Sequence, residues 1–229
     1  MMMRIDILTA VPDLLESPLK TSIIKRAQDK GKLSVFIHNL RDYAFNKHKQ
    51  IDDKPFGGGP GMILKPEPFF ECIESLQAQR KYDKIIFTTP KGKIFNQTIA
   101  NQFSLSENLI VIAGHYKEID DRVRQAFSTD DISIGNFVLT GGELPALIII
   151  DSIVRLIPGV LNDSEAALDD SFQDGERLEA PYYTRPSEYR GMKVPEVLLS
   201  GNDKEIKMWK EEQSKILTEK WREANSLKE

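Results

Sequence analysis

The chain is short of the residues that most often announce chemistry. Its 229 residues include one cysteine, Cys72, three histidines and two tryptophans. A lone cysteine makes no internal disulfide, so a reducing, cytoplasmic compartment is expected. Cys72 lies in an apolar-periodic stretch and reads as a small core residue rather than a nucleophile. His38, His48 and His115 are scattered and share no ligand spacing with Cys72, so no zinc site is indicated. No run of eighteen apolar residues exists, so no membrane-spanning helix is expected. The opening Met1-Met2-Met3-Arg4-Ile5-Asp6 meets charge too early for a secretory signal. No G-x-S-x-G elbow supports a serine hydrolase. The one dense glycine cluster lacks both the Gly-Lys-Ser/Thr of a P-loop and the G-x-G-x-x-G of a dinucleotide site.

What is present describes a folded protein. Hydrophobic residues make up 40% and charged residues 29%, enough for one full core and a smaller appended module. The net charge of −4 argues weakly against a nucleic-acid partner, but its distribution matters more. Residues 161–177 hold six acidic side chains against one basic, while the stretches on either side are nearly neutral. A nearly neutral module can still present the local basic face that phosphate binding needs.

Along the chain, Arg4 to Leu8, Leu33 to Leu40, Lys84 to Thr88, Leu109 to Ala113 and Ile132 to Ile134 are predicted strands. Helices are predicted over 19–29, after Pro66, from Asn96 as cap to Phe103, over 118–127 and over 143–157. Pro12 and Pro18 are assigned to a loop, and Pro158-Gly159 to a helix stop. Strands alternating with helices predict an α/β fold with a mostly parallel sheet over residues 1–160. Residues 161–177 read as an acidic, flexible linker, with Phe172 and Leu168 as its apolar anchors. Residues 178–229 read as a helical module. Its last helix starts at an Asn202/Glu205 capping pair and turns Ile206, Trp209, Ile216, Leu217 and Trp221 to a core.

Two loops carry glycine in quantity. Pro55-Phe56-Gly57-Gly58-Gly59-Pro60-Gly61 is either a flexible connection or a backbone brought close to a ligand or partner. Ile134-Gly135-Asn136-Phe137-Val138-Leu139-Thr140-Gly141-Gly142 follows a strand and opens a helix, where α/β sheets bind ligands; a tight turn without a ligand fits equally well. Taken alone, Arg155 at a helix end and Asp170 in the acidic segment read as ordinary solvated residues.

Several strings together resemble one family. They are Ile51-Asp52-Asp53 running into PFGGGPGM, GHYKEID from Gly114, SIGNFVLTGGELP from Ser133, DSIVRLIPGVL from Asp151, LDDSFQDG from Leu168, PYYTRP from Pro181 and VPEVLLSGN from Val194. In collinear order across practically the whole chain, they resemble the bacterial tRNA (guanine-N1)-methyltransferases of the SPOUT superfamily. The resemblance implies a deep trefoil knot at the C-terminal edge of the sheet and a small helical C-terminal domain that grips tRNA. It also implies a homodimer whose active site draws on both subunits. The activity implied is transfer of the methyl of S-adenosyl-L-methionine to N1 of the guanosine at position 37, immediately 3′ of the anticodon. No membrane or DNA partner is implied.

By position in these motifs, the resemblance implies cofactor contacts at Gly114, Tyr116, Ile134, Gly135, Asn136, Phe137, Val138, Leu139, Gly141, Gly142 and Pro145. Thr89 and Pro90, after the Ile85 to Thr88 strand, match a further cofactor-lining turn. Asp170 takes the part of general base on N1, and Arg155 that of electrostatic partner to O6. A magnesium dependence comes with the resemblance, but the sequence shows no octahedral carboxylate cage and assigns no residue to the ion. The chain departs from the family's usual Gly-Arg-Tyr-Glu-Gly-Ile-Asp by carrying His115, Lys117 and Glu118. It departs from the usual Ile-Gly-Asp-Tyr by carrying Asn136 and Phe137. Two rivals stay open on sequence: a knotted ribose 2′-O-methyltransferase, and a silent RNA-binding homologue.

Overall fold

The computed structural model describes residues 2–161 and 170–226. The chain divides into two compact units, Met1–Ser164 and Glu165–Glu229.

The first unit is α/β. Its sheet has five strands: β1 (Met3–Thr9), β2 (Leu33–Asn39), then, after the short strands β3 (Asp52–Asp53) and β4 (Ile63–Leu64), β5 (Lys84–Ile94) and β6 (Asn108–Ile112). The short β7 (Glu118–Ile119) precedes the fifth, β8 (Asp130–Ser133). The spatial order is β2-β1-β6-β5-β8, with each neighbouring pair parallel. β3, β4 and β7 form a small separate sheet. Period-two alternation sends Ile5, Ile7, Leu109, Val111 and Ile86 to one core and Leu8, Ile110, Ile112, Ile85 and Phe87 to the other. β6 is apolar on both sides because helices cover both faces.

One face carries α1 (Asp13–Leu19), α2 (Ser22–Asp29), α4 (Gln97–Phe103) and α6 (Glu143–Val154); the other carries α3 (Pro66–Gln77) and α5 (Asp121–Phe127). Pro66 holds the first turn of α3, where its missing N–H costs nothing. Asn96 caps α4 by accepting from the Ile99 amide at 3.0 Å.

Several boundaries differ from expectation. Pro18 lies inside α1, near its end, so residues 13–19 are helical and the expected 19–29 helix begins only at Ser22. The expected 118–127 helix is two elements: Glu118 and Ile119 pair with β4, and Asp120 then caps α5. α6 ends at Val154, ahead of Pro158-Gly159. β5 runs six residues past Thr88 because it bulges and resumes: Thr88 and Lys93 both pair with Ile132. Gly92 allows the return, since a Cβ there would lie 2.4 Å from the Asp131 carbonyl carbon.

A buried polar network braces the second face. Asp6 accepts from Arg4 at 2.7 Å and Tyr82 at 2.8 Å and contacts His38 Nε2 at 2.7 Å. Burial opposes its ionisation, but these partners outweigh that and hold its carboxyl down at about 2. Burial also pushes the Cys72 thiol up to about 12, as befits a core residue.

In the second unit, a two-residue hairpin of β9 (Glu188–Tyr189) and β10 (Met192–Lys193) is followed by α7 (Glu196–Leu199) and the long α8 (Asp203–Ser226). The Glu205 amide donates to Asn202 Oδ1 at 3.4 Å, as the capping pair predicts. The buried line of α8 is only partly the expected one. Ile206, Trp209 and Leu217 are half-buried, but Ile216 and Trp221 are exposed, and Ser214 and Thr218 are buried. Their hydroxyls clasp the backbone of Leu178: its amide donates to Thr218 Oγ1 at 3.0 Å, and Ser214 Oγ donates to its carbonyl at 2.5 Å.

Candidate functional site

The parallel strands of the first unit end at one edge, and a cleft of about 150 Å³ opens there. The β5 bulge supplies Thr88, Thr89 and Pro90; the turn after β6 supplies residues 114–118; the loop between β8 and α6 supplies most of the rest, with Pro145 from α6. Twelve of the thirteen residues assigned to cofactor contact on sequence line this one cleft. Asn136 does not line it.

Two turns meet at the cleft's floor. The Gly142 amide donates to the Gly114 carbonyl at 2.6 Å, and His115 bridges Gly141 in antiparallel fashion. A Cβ on Gly142 would lie 2.3 Å from Thr88 Oγ1 and 2.7 Å from the Gly114 nitrogen, so the turns close only because nothing projects between them. Gly135, at φ 146°, folds the loop so that Phe137 returns over it; a Cβ there would strike the ring at 2.5 Å. Tyr116 holds φ 62°, a left-handed conformation that is uncommon outside glycine and tends to gather at ligand sites.

The lining mixes chemistries. Val138 is 86% exposed and Phe137 54%, an apolar lip of the kind that covers a ring or a partner surface. At the mouth, Lys91 pairs with Glu118 at 2.8 Å. Its hydrogen bond to that carboxylate raises the ammonium above its ordinary range. Glycine turns with close-packed backbone, flat apolar side chains and threonine hydroxyls fit a ligand with an aromatic base and a polar tail. Thr88, His115, Lys117, Glu118, Ile132, Ser133 and Thr140 also line the cleft. Position inside the motif strings was the only sequence signal for His115, Lys117, Glu118, Ser133 and Thr140, and Thr88 and Ile132 lay in predicted strands.

The description tRNA (Guanine-1)-methyltransferase TrmD matches residues 3–227. The chain belongs to that family. It is 56% identical over 212 residues to a protein of Bacteroides fragilis, covering 93% of this chain and 94% of the relative. It is 56% identical to one of Cytophaga hutchinsonii, covering 91% and 88%. With one of Chlorobaculum tepidum the identity is 52%, covering 94% of each. All three relatives are named tRNA (guanine-N(1)-)-methyltransferase.

The two residues carried over for chemistry lie in different units of this family member. Arg155 follows the last turn of α6 and is half-buried in the first unit. Asp170 is half-buried in the second, at the head of a turn. That turn is fastened. The Ser171 amide donates to Glu179 Oε1 at 2.8 Å, the Glu179 amide donates to Ser171 Oγ at 3.0 Å, and Phe172 stacks edge-on against Trp221 at 5.2 Å. Phe172 thus anchors on α8; Leu168 lies outside the described residues. Among the described residues no three metal-ligating side chains gather, and no helix is long and apolar enough to cross a membrane.

Proposed function

We propose that the chain methylates N1 of guanosine 37 in tRNA, using S-adenosyl-L-methionine held in the cleft at the sheet edge. The observation that carries this reading is the convergence of twelve residues assigned to the cofactor on sequence, in a single cleft of a chain of the tRNA (guanine-1)-methyltransferase family. Bound there, S-adenosylmethionine would supply a methyl on a cationic sulfur, the N1–C bond forming as the C–S bond breaks and the electron pair staying on sulfur.

The protein's part is to make N1 a nucleophile. At neutral pH N1 carries a proton, and its removal throws negative charge onto O6. Asp170 takes the proton and later releases it to solvent; Arg155 faces O6 and stabilises the charge. The Gly141 and Gly142 turn would orient the donor's polar tail through main-chain groups, which need no particular side chain at Asn136 or Phe137. No residue is assigned to a magnesium ion.

Three features of the proposed architecture go with this reading. A trefoil knot would bring the 114–118 and 134–142 turns together at the sheet edge. The second unit would serve as the tRNA-gripping domain, reached through the acidic segment 161–177. A homodimer would cover Leu144 and Ile148, which stand exposed one turn apart on α6. A ribose 2′-O-methyltransferase needs no base for N1, and neither that rival nor the silent RNA-binding one gains support from relatives with base-methylating names. The test is transfer of labelled methyl to unmodified tRNA followed by nucleoside analysis. Label in 1-methylguanosine is the expected result; label in a 2′-O-methyl nucleoside, or none, overturns the proposal.

A further inference from the structure

Glu143 is 1% exposed beneath the cleft, in the first turn of α6, and the scheme above gives it no task. A carboxylate in that position gains from the helix N-terminus but still needs partners for its oxygens. One partner is Thr9, fully buried at the end of β1, whose Oγ1 donates to Glu143 Oε1 at 2.7 Å. Thr9 Oγ1 thus gives its single proton to the carboxylate while accepting from the Val11 amide at 2.9 Å.

The other oxygen, Oε2, faces His115. His115 Nδ1 lies 3.5 Å away, is itself buried, and has no hydrogen-bond partner among the described residues. A movement of a few tenths of an ångström would make that contact a hydrogen bond. Oε2 and Nδ1 also flank Gly141, where a Cβ would lie 2.3 Å from the first and 2.7 Å from the second. Carboxylate and imidazole therefore sit directly behind the backbone junction of the cleft's two turns.

We propose that Thr9, Glu143 and His115 form a buried latch tying the 114–116 turn to the 141–142 turn, with His115 a positioning residue for the methyl donor. The ligand side of this inference rests on reading the cleft as the donor's site. The latch reaches from the end of β1 through the head of α6 to the turn bearing the strained Tyr116, whose ring the imidazole meets edge-on at 5.2 Å. It requires the Nδ1–H tautomer, with the proton directed at Oε2; Nε2 is then the nitrogen left for contacts in the cleft. Loss of the imidazole frees the 114–116 turn and leaves Oε2 unpaired in a buried place.

The experiment has two arms on the full chain. In the first, nitrogen-15 NMR reads the His115 tautomer in the wild-type protein and in Glu143→Gln, with no ligand present. Protonated Nδ1 in the wild type, altered in the variant, is expected; a bare Nδ1 in the wild type overturns the latch. In the second, calorimetry measures S-adenosylhomocysteine binding to wild type, His115→Ala and His115→Gln, alongside steady-state methylation. His115→Ala is expected to weaken binding about tenfold and raise KM for the donor in step. Its kcat should stay within about twofold, and His115→Gln, which keeps a donor, should recover most of the affinity. Unchanged affinity in a folded His115→Ala protein overturns the positioning role. A wild-type chain that does not bind S-adenosylhomocysteine overturns the reading of the cleft, and the NMR arm decides the latch separately.

Discussion

Asp170 and Gly142 show how differently single residues can fail. Asp170→Asn keeps the shape of the turn but cannot take a proton. Turnover is expected to fall by ~10²–10⁴ while S-adenosylhomocysteine affinity stays near wild type; single-turnover methylation and calorimetry check the two halves. Gly142→Ala should do the reverse. Its Cβ would press on Thr88 Oγ1, the Gly114 nitrogen and the Ala113 Cα, two of them backbone atoms with nowhere to go. Affinity for S-adenosylhomocysteine should fall by at least about tenfold, the scale of an overpacked site. Asp6 gives a pH signature. Its folded value, about 2, lies below the ordinary 3.8, so the unfolded chain binds the proton more readily and stability rises with pH between them. The contribution is whole above about pH 4 and is lost as pH falls through about 2. Asp6→Asn should therefore cost about 2 kcal/mol in urea unfolding at pH 7, and the difference should shrink towards pH 2.

Among elements, those with local causes were legible from sequence. The Asn96 cap, Pro66 at the head of α3, and β6 as a doubly buried strand all follow from residues a few positions apart. Elements settled by distant partners were not. The β5 bulge depends on close approach to β8, and Pro90 and Gly92 in isolation argue for a stop rather than a continuation. The buried line of α8 was legible only in part, in Ile206, Trp209 and Leu217, because apolarity was taken to choose the inward face. Ser214 and Thr218 instead face inward to satisfy the Leu178 backbone, 36 and 40 residues away. The site divides the same way: motif strings located the cleft, but nothing local tied Thr9 to Glu143, 134 residues apart. Within the segment read as a linker from its acidic composition, the turn from Ser171 to Arg177 is tied to Glu179 through Ser171 and meets α8 through Phe172 and Trp221, partners that composition does not reveal. Thr218→Val should raise hydrogen exchange at the Leu178 amide and lower stability by about 1 kcal/mol; exchange unchanged from wild type would remove the clasp from the account.

For the molecule as a whole, the proposed homodimer makes a demand that neither unit makes alone. If Arg155 and Asp170 serving one guanosine come from different chains, mixing inactive Arg155→Ala and Asp170→Ala dimers should restore activity after subunit exchange. Methylation assays, with exchange followed by native mass spectrometry, read this out; exchange without recovery would place both residues in one chain. Replacing Ile148 with Asp should give a monomer by sedimentation if α6 forms the interface.

The strand order also sets a timetable. β1 precedes both of its neighbours in the chain and lies inside the sheet, between β2 and β6, yet β6 begins only at Asn108. At roughly 5–20 residues per second of synthesis, Ile5, Ile7 and Leu8 wait about 5–20 seconds on the ribosome before their second neighbour exists. Through that interval β1 presents a bare edge, with Ile5 and Ile7 on one face and Leu8 beside Arg4 and Asp6 on the other. A nascent chain arrested before Asn108 is thus a natural client for chaperones and proteases, and the vulnerability ends when β6 emerges and docks.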